Sequence, residues 1–165
     1  MRLNLREIAQ VPGGQIPFRY EKDLSDLPFD SVAAFHGPLA GKGVVRNTAG
    51  VLVLTADVSV EAVCVCARCL AEFERQMPLH VEAVLADELQ DEENPDIYLL
   101  DGDDIDVDEV ILTAFVLNME QRFLCREDCQ GLCEKCGKNL NDGPCQCRAE
   151  TDPRLAALQQ LLENE

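Results

Sequence analysis

A chain of 165 residues with 47% apolar content, 5% aromatics and no tryptophan can bury one core of Val, Leu and Ala but not two full-sized domains. Its 31 acids against 14 bases give a net charge of −17, which argues against a broad nucleic-acid surface, because phosphate binding draws its affinity from Lys and Arg. A basic protein partner suits that charge, as does simple solubility. No segment approaches the ~18 consecutive apolar residues of a membrane span, nor the apolar run of a signal peptide, so no membrane role and a cytoplasmic location are expected. In a reducing cytosol nine cysteines, an odd number, are not expected to form structural disulfides.

Residues 1–50 read as short strands and turns, punctuated at Pro12-Gly13-Gly14, Pro28, Gly37-Pro38, Gly41, Gly43 and Gly50. The clearest period follows. In VLVLTADVSVEAVCVC, Leu52, Leu54, Ala56, Val58, Val60, Ala62 and Cys64 share one parity, while Thr55, Asp57, Ser59 and Glu61 share the other, as in a half-buried strand. A second alternation, Phe73, Met77, Leu79, Val81, Ala83 and Leu85 against Glu74, Gln76, His80 and Glu82, follows CARCL, which places Cys66 and Cys69 near the tip of a long β-hairpin. Arg75, on the apolar parity, breaks that pattern.

Between Asp87 and Glu109 twelve of 23 residues are acidic, interrupted by Ile97-Tyr98-Leu99-Leu100. This stretch, 87–109, reads as a solvated acidic loop holding one short strand. A helix follows over 106–123, with Asp106 as N-cap, Glu109 three residues on as in a capping box, and Val107, Val110, Ile111, Ala114 and Phe115 on one face. Near the end of the chain, Asp152 before Pro153 marks the start of a short helix. The expected organisation is a body over 1–121, a cysteine-rich segment over 122–150 and a helical tail over 151–165. The expected fold class is α+β: a mainly antiparallel sheet or partly closed barrel with one covering helix and a C-terminal zinc-knuckle segment.

Six cysteines lie between Cys125 and Cys147. Cys133-Glu134-Lys135-Cys136-Gly137 has the form of a zinc knuckle, in which two thiolates bind one metal and the glycine lets the backbone turn toward sulfur. The turn-rich NLNDGP can fold Cys145 and Cys147 back onto that pair. Four soft ligands from two close pairs suit a closed structural zinc site at Cys133, Cys136, Cys145 and Cys147. Iron–sulfur clusters use the same thiolates, but their usual spacings are absent, and a redox pair would want a βαβ context that neither C-x-x-C has.

Cys66 and Cys69 complete a second four-thiolate site with Cys125 and Cys129 if the helix lies along the hairpin, giving one or two zinc ions per chain. The competing reading is that Cys66 and Cys69 shape a tight hairpin end, while Cys125 and Cys129 cap the helix or substitute into the first site. Cys64 faces inward by parity as a small hydrophobe. His36 and His80 lie in no recognisable nucleophile setting, and phosphate-cradling and dinucleotide fingerprints are absent, so neither an enzyme nor a small-molecule substrate is expected.

CARCLAEF, the acidic segment leading into IDVDEVILTAF, and LCREDCQGLCEKCGKNLNDGPCQC followed by DPRLAALQQLL together resemble the YceD family of large ribosomal RNA subunit accumulation proteins. The matching positions are Cys66, Arg68, Cys69 and Leu70, then Cys129, Gly131, Leu132, Cys133, Cys136, Gly137, Asn139, Leu140, Asn141, Cys145 and Cys147. After the helix this sequence departs from the pattern, reading Leu117-Asn118-Met119 and carrying extra residues before Cys125. The resemblance implies a non-enzymatic role in 23S ribosomal RNA accumulation and large-subunit assembly in a bacterial cytoplasm. It implies as partner a ribosomal protein or pre-ribosomal particle, with ribosomal protein L32 among the candidates. It offers no catalytic residues. Three modes of action compete: an acidic protein-binding surface, an RNA-binding zinc module using Arg122, Arg126, Lys135, Lys138 and Arg148, and a zinc donor or chaperone for a ribosomal protein.

Overall fold

The computed structural model describes residues 1–86 and 97–147. In chain order they form β1 (Arg2–Asn4), α1 (Arg6–Ala9), β2 (Gln15–Lys22), β3 (Val32–Thr48), β4 (Val51–Val65), β5 (Glu72–Ala86), β6 (Ile97–Leu99), β7 (Asp104–Asp106), α2 (Val107–Asn118) and a single 3₁₀ turn, Leu140–Asp142. Strands β2 to β6 make one sheet in sequence order, antiparallel except for the short parallel pair β5–β6, and β1 pairs with β7 separately. The sheet is open, with β2 and β6 at its two edges, so no closed barrel forms among the described residues. No described helix is long and apolar enough to cross a membrane.

The alternation in β4 becomes one wall of the core. Leu52, Leu54, Ala56, Val58, Val60, Ala62 and Cys64 are all buried, and Leu85, Ala83 and Val81 stand directly opposite the first three across the β4–β5 ladder. Helix α2 lays Val107, Val110, Ile111 and Phe115 on this wall, and Phe29, Phe35 and Phe115 meet one another with centroids 6.0–6.3 Å apart. Asp106 caps the helix, its carboxylate accepting from the Asp108 N–H at 3.0 Å.

Residues 1–50 form the expected short strands and turns as far as β2, but the breaks expected at Gly37-Pro38, Gly41 and Gly43 are absent from β3. β3 runs unbroken as a strand for 17 residues, with a register shift between His36 and Ala40 where Gly37 adopts φ +89°. Gly41 and Gly43 punctuate nothing. A Cβ on Gly43 would run into the Phe18 ring, and one on Gly41 into the backbone of Asp57 and Val58, so these glycines let ring and chain approach within the sheet. Buried Asn47 ties this strand to α1: its amide donates to the carbonyls of Ile8 and Ala9, both at 2.8 Å, and its side-chain oxygen accepts from Gly50 N–H at 2.8 Å.

From residue 97 on the acidic stretch supplies β6, the one short strand expected in it, and the first turn of the expected helix as α2, and it adds a second strand, β7. Residues 87–96 lie outside the described residues, as do 148–165, which hold Arg148 and the expected helix after Asp152. Helix α2 stops at Asn118, five residues short of the expected end, where Met119 turns to an extended conformation. Beyond it Ser31 Oγ donates to the Glu120 carbonyl at 3.2 Å, and Arg75 grips the Glu120 carboxylate with two bonds of 2.7 and 3.3 Å. The chain is thereby drawn off the helical path, and Phe123 sinks to 2% exposure against Ala62 and Cys64. Arg75 breaks the strand's apolar parity because its guanidinium lies over the Phe123 ring, 5.0 Å from the centroid.

Candidate metal centres

The crossing from Met119 to Phe123 decides where the next cysteines fall. Cys66 bridges Phe123 in parallel fashion, and Ala67 N–H donates to the Phe123 carbonyl at 2.8 Å, so the chain after the helix runs beside the hairpin tip. Cys125 and Cys129 thereby meet Cys66 and Cys69. Their four sulfurs lie within 4.8 Å of one another, with Cys66–Cys129 and Cys69–Cys125 each at 3.7 Å. Tetrahedral thiolate zinc with bonds of ~2.3 Å has sulfur–sulfur edges of ~3.8 Å. The structure brings together the four cysteines of that expected site, which could hold a metal ion; Cys125 and Cys129 lie neither in the other cluster nor at the end of α2, whose last residue is Asn118 and whose C-cap is Met119.

Cys133, Cys136, Cys145 and Cys147 form the second group, again within 4.8 Å, with Cys145–Cys133 at 3.3 Å. Each group could hold one metal ion, and in each the donors are thiols alone, without a histidine or carboxylate. Such a soft, complete set fits a closed structural site. A catalytic site would keep a position open. The ninth cysteine, Cys64, is fully buried beside Phe123, where burial pushes its thiol up. His36 is exposed, and His80 pairs with Asp57 at 2.7 Å on the sheet surface.

The two C-x-x-C turns share one backbone. In C-A-R-C-L the Leu70 N–H donates to the Cys66 carbonyl at 2.9 Å; in C-E-K-C-G the Gly137 N–H donates to the Cys133 carbonyl at 2.8 Å. Both closing residues are left-handed, Gly137 at φ +68° and Leu70 at φ +57°. The turn aims N–H groups at its first sulfur. Burial pushes the Cys66 thiol up, but the N–H groups of Cys125, Cys69 and Arg68 outweigh it and hold it at about 6. At Cys133 the N–H groups of Cys136 and Lys135, with help from the Cys145 and Cys136 thiols, also hold the thiol at about 6.

Their companions move the other way. Burial and the neighbouring thiols push Cys125 up to about 12, and hydrogen bonding with Cys136, burial and Cys133 push Cys147 up to about 12. One sulfur in each group ionises easily and another resists, because negative charge accumulates in a small volume. A divalent cation at the centre would let all four ionise.

Arg68 and Asn141 were legible as motif positions but not in their roles. Arg68 donates from Nη1 to the Cys129 carbonyl at 2.9 Å, locking the second pair to the hairpin tip. Asn141 donates from Nδ2 to the Cys129 sulfur at 3.3 Å, which with lesser contacts lowers that thiol. Of the basic residues expected to form an RNA-facing patch, Arg126 lies 3.5 Å from Asp128, and Lys138 donates to the Pro144 carbonyl at 3.0 Å.

A family profile described as large ribosomal RNA subunit accumulation protein YceD matches residues 54–162, spanning all eight clustered cysteines. Uncharacterized proteins of Mycobacterium bovis and Mycobacterium tuberculosis are 33% identical over 120 residues, covering 70% of this chain and 58% of theirs. An uncharacterized protein of Mycobacterium leprae is 26% identical over 123 residues, covering 72% of this chain and 56% of its own. The chain thus spans less than two thirds of the length of these relatives. No solved structure matches it.

Proposed function

We propose a function from one premise: the chain belongs to the YceD family, whose name ties it to accumulation of the large ribosomal RNA subunit. A ribosome-related role follows from that membership. The finer reading is a non-enzymatic assembly factor acting in the cytoplasm, which supports 23S ribosomal RNA accumulation by holding a basic ribosomal protein, free or on a pre-ribosomal particle. Zinc in both four-thiolate groups shapes and stiffens the end of the hairpin and the segment beyond it.

One observation carries the choice of partner. On the face of the β4–β5 hairpin turned away from α2, Asp57, Glu61, Glu72, Glu74 and Glu82 are all exposed; Asp57 pairs with His80 and stands opposite Lys42 of β3, while the two strands themselves carry no Lys or Arg on that face. Five carboxylates on a twisted sheet attract a cationic surface and repel a phosphate backbone. The RNA-binding zinc module is less well supported, because Arg126 and Lys138 are engaged within the cysteine segment. A zinc donor is less well supported because three of the four thiols at the hairpin tip are buried.

The test is affinity purification of the full chain from dividing cells, with bound proteins identified and bound RNA sequenced. A basic large-subunit protein is expected, captured well at low salt and lost as salt rises. The variant Glu61→Lys/Glu74→Lys/Glu82→Lys should lose the partner while keeping its metal. Equal capture at low and high salt, or capture of 23S precursor RNA with all protein removed, would count against this reading.

A further inference from the structure

The two thiolate groups are wired together by a turn that belongs to one and touches the other. Cys129 and Cys133 are separated only by Gln130, Gly131 and Leu132. The loop between Cys136 and Cys145 folds back along this linker. Leu140 N–H donates to the Gly131 carbonyl at 2.9 Å, Leu132 and Asn139 form an isolated antiparallel bridge, and Cys133 N–H donates to the Lys138 carbonyl at 2.9 Å.

At the head of the loop Asn139 caps the 3₁₀ turn. Its side-chain oxygen accepts from Asn141 N–H at 3.0 Å and from the Asn141 amide at 2.8 Å. That bond fixes the Asn141 rotamer. The Asn141 oxygen then accepts from Gln130 N–H at 2.8 Å, while its Nδ2 donates to the Cys129 sulfur at 3.3 Å. A residue whose chain position lies inside one cysteine group thus donates to a ligand atom of the other.

We propose that Asn141 couples the two metal sites, so that a soft divalent cation at Cys133, Cys136, Cys145 and Cys147 raises the affinity of Cys66, Cys69, Cys125 and Cys129 for a second. A metal in the later site pins both ends of the 137–144 loop and so holds the Asn141 amide against the Cys129 sulfur. There the N–H draws charge from a crowded thiolate centre and fixes its direction, the part that outer-shell donors play at metal sites. The coupling is reciprocal: metal at the hairpin tip fixes Cys129, and through it the turn. This inference rests on the reading that both groups bind metal.

The test measures zinc affinity at the hairpin-tip site in the full chain, by competition with a chromophoric chelator, with cobalt(II) thiolate absorption as a second readout. Affinity is compared with the later site intact and with it destroyed by Cys145→Ser/Cys147→Ser. In the otherwise native chain the tip site should weaken by ~10- to 100-fold when the later site is lost. With Asn141→Ala in both backgrounds that ratio should fall to about one, and Asn141→Ser, which keeps a short donor, should restore part of it. A chain that binds two zinc ions with a ratio of one, or with a ratio that Asn141→Ala leaves unchanged, overturns the coupling while the metal reading stands. A folded chain that binds no zinc overturns both.

Discussion

The two four-thiolate groups use the same C-x-x-C turn in opposite settings. At the hairpin tip the paired sulfurs come from positions 56 and 63 residues apart, and three of the four cysteines are buried. In the later group all four come from within 15 residues of chain, and Cys136 and Cys147 are exposed. The first closes a long circuit through β5 and α2 and holds the core's end together. The second gathers its own loop and the linker to Cys129, a segment too short to bury a core, so its order would depend on a metal held there. One turn therefore serves as a clasp in one place and as a nucleus in the other.

The largest break in that contrast should come from Cys66→Ser set beside Cys145→Ser. Loss of Cys66 opens the clasp, and a thermal melt should show the whole body destabilised, by roughly 10 °C or more in Tm. Loss of Cys145 should lower the body's melt by much less, only as far as the weakened zinc affinity at the tip carries through, while limited proteolysis finds new cuts within 130–147. Equal melting of the two variants would erase the distinction.

Next in size is Phe123→Ala, which empties the pocket formed by Ala62, Cys64 and the Arg75 guanidinium. A cost of about 3–5 kcal/mol in denaturant unfolding is expected, with looser metal binding at the tip and a smaller effect at the later site. Asn47→Ala offers a control far from both groups. It strands two carbonyls and an N–H, and should cost about 2–4 kcal/mol while leaving both metals bound with native affinity.

The smallest effect sharpens the comparison of the turns themselves. Leu70 holds a left-handed backbone where its counterpart is Gly137. Leu70→Gly should relieve about 1 kcal/mol of strain, set against the extra freedom glycine brings to the unfolded chain. Gly137→Ala meets no atom within 4 Å, so its cost of about 1 kcal/mol is backbone strain alone, read as a several-fold weaker zinc affinity at the later site. Opposite signs for the two changes are the expected outcome.

Much of this was open to reading in the residues, and the exceptions have physical causes. The hairpin was legible because strict alternation leaves one register that buries Leu54, Ala56 and Val58. The later thiolate group was legible because its ligands are close in sequence. The tip group was legible as two pairs, joined into one site only on the condition that the helix lies along the hairpin. Joining them depends on the chain leaving the helix at Asn118, and the agents of that exit, Ser31 and Arg75, act on Glu120 from positions 89 and 45 residues away. Strand β3 was misread because Gly41 and Gly43 look like turns, whereas Phe18 and the β4 backbone occupy the space a side chain would take. Arg75 looked like an error in the pattern and is part of the crossing that delivers Cys125.

The central claim, that both groups are metal centres, is tested most directly by native mass spectrometry of the reduced full chain, with the metal identified by elemental analysis. The account predicts a mass two zinc ions above the bare chain, shifting to one in Cys145→Ser/Cys147→Ser. A folded chain at the bare mass, or a single metal that survives in that variant at the expense of none, would contradict it.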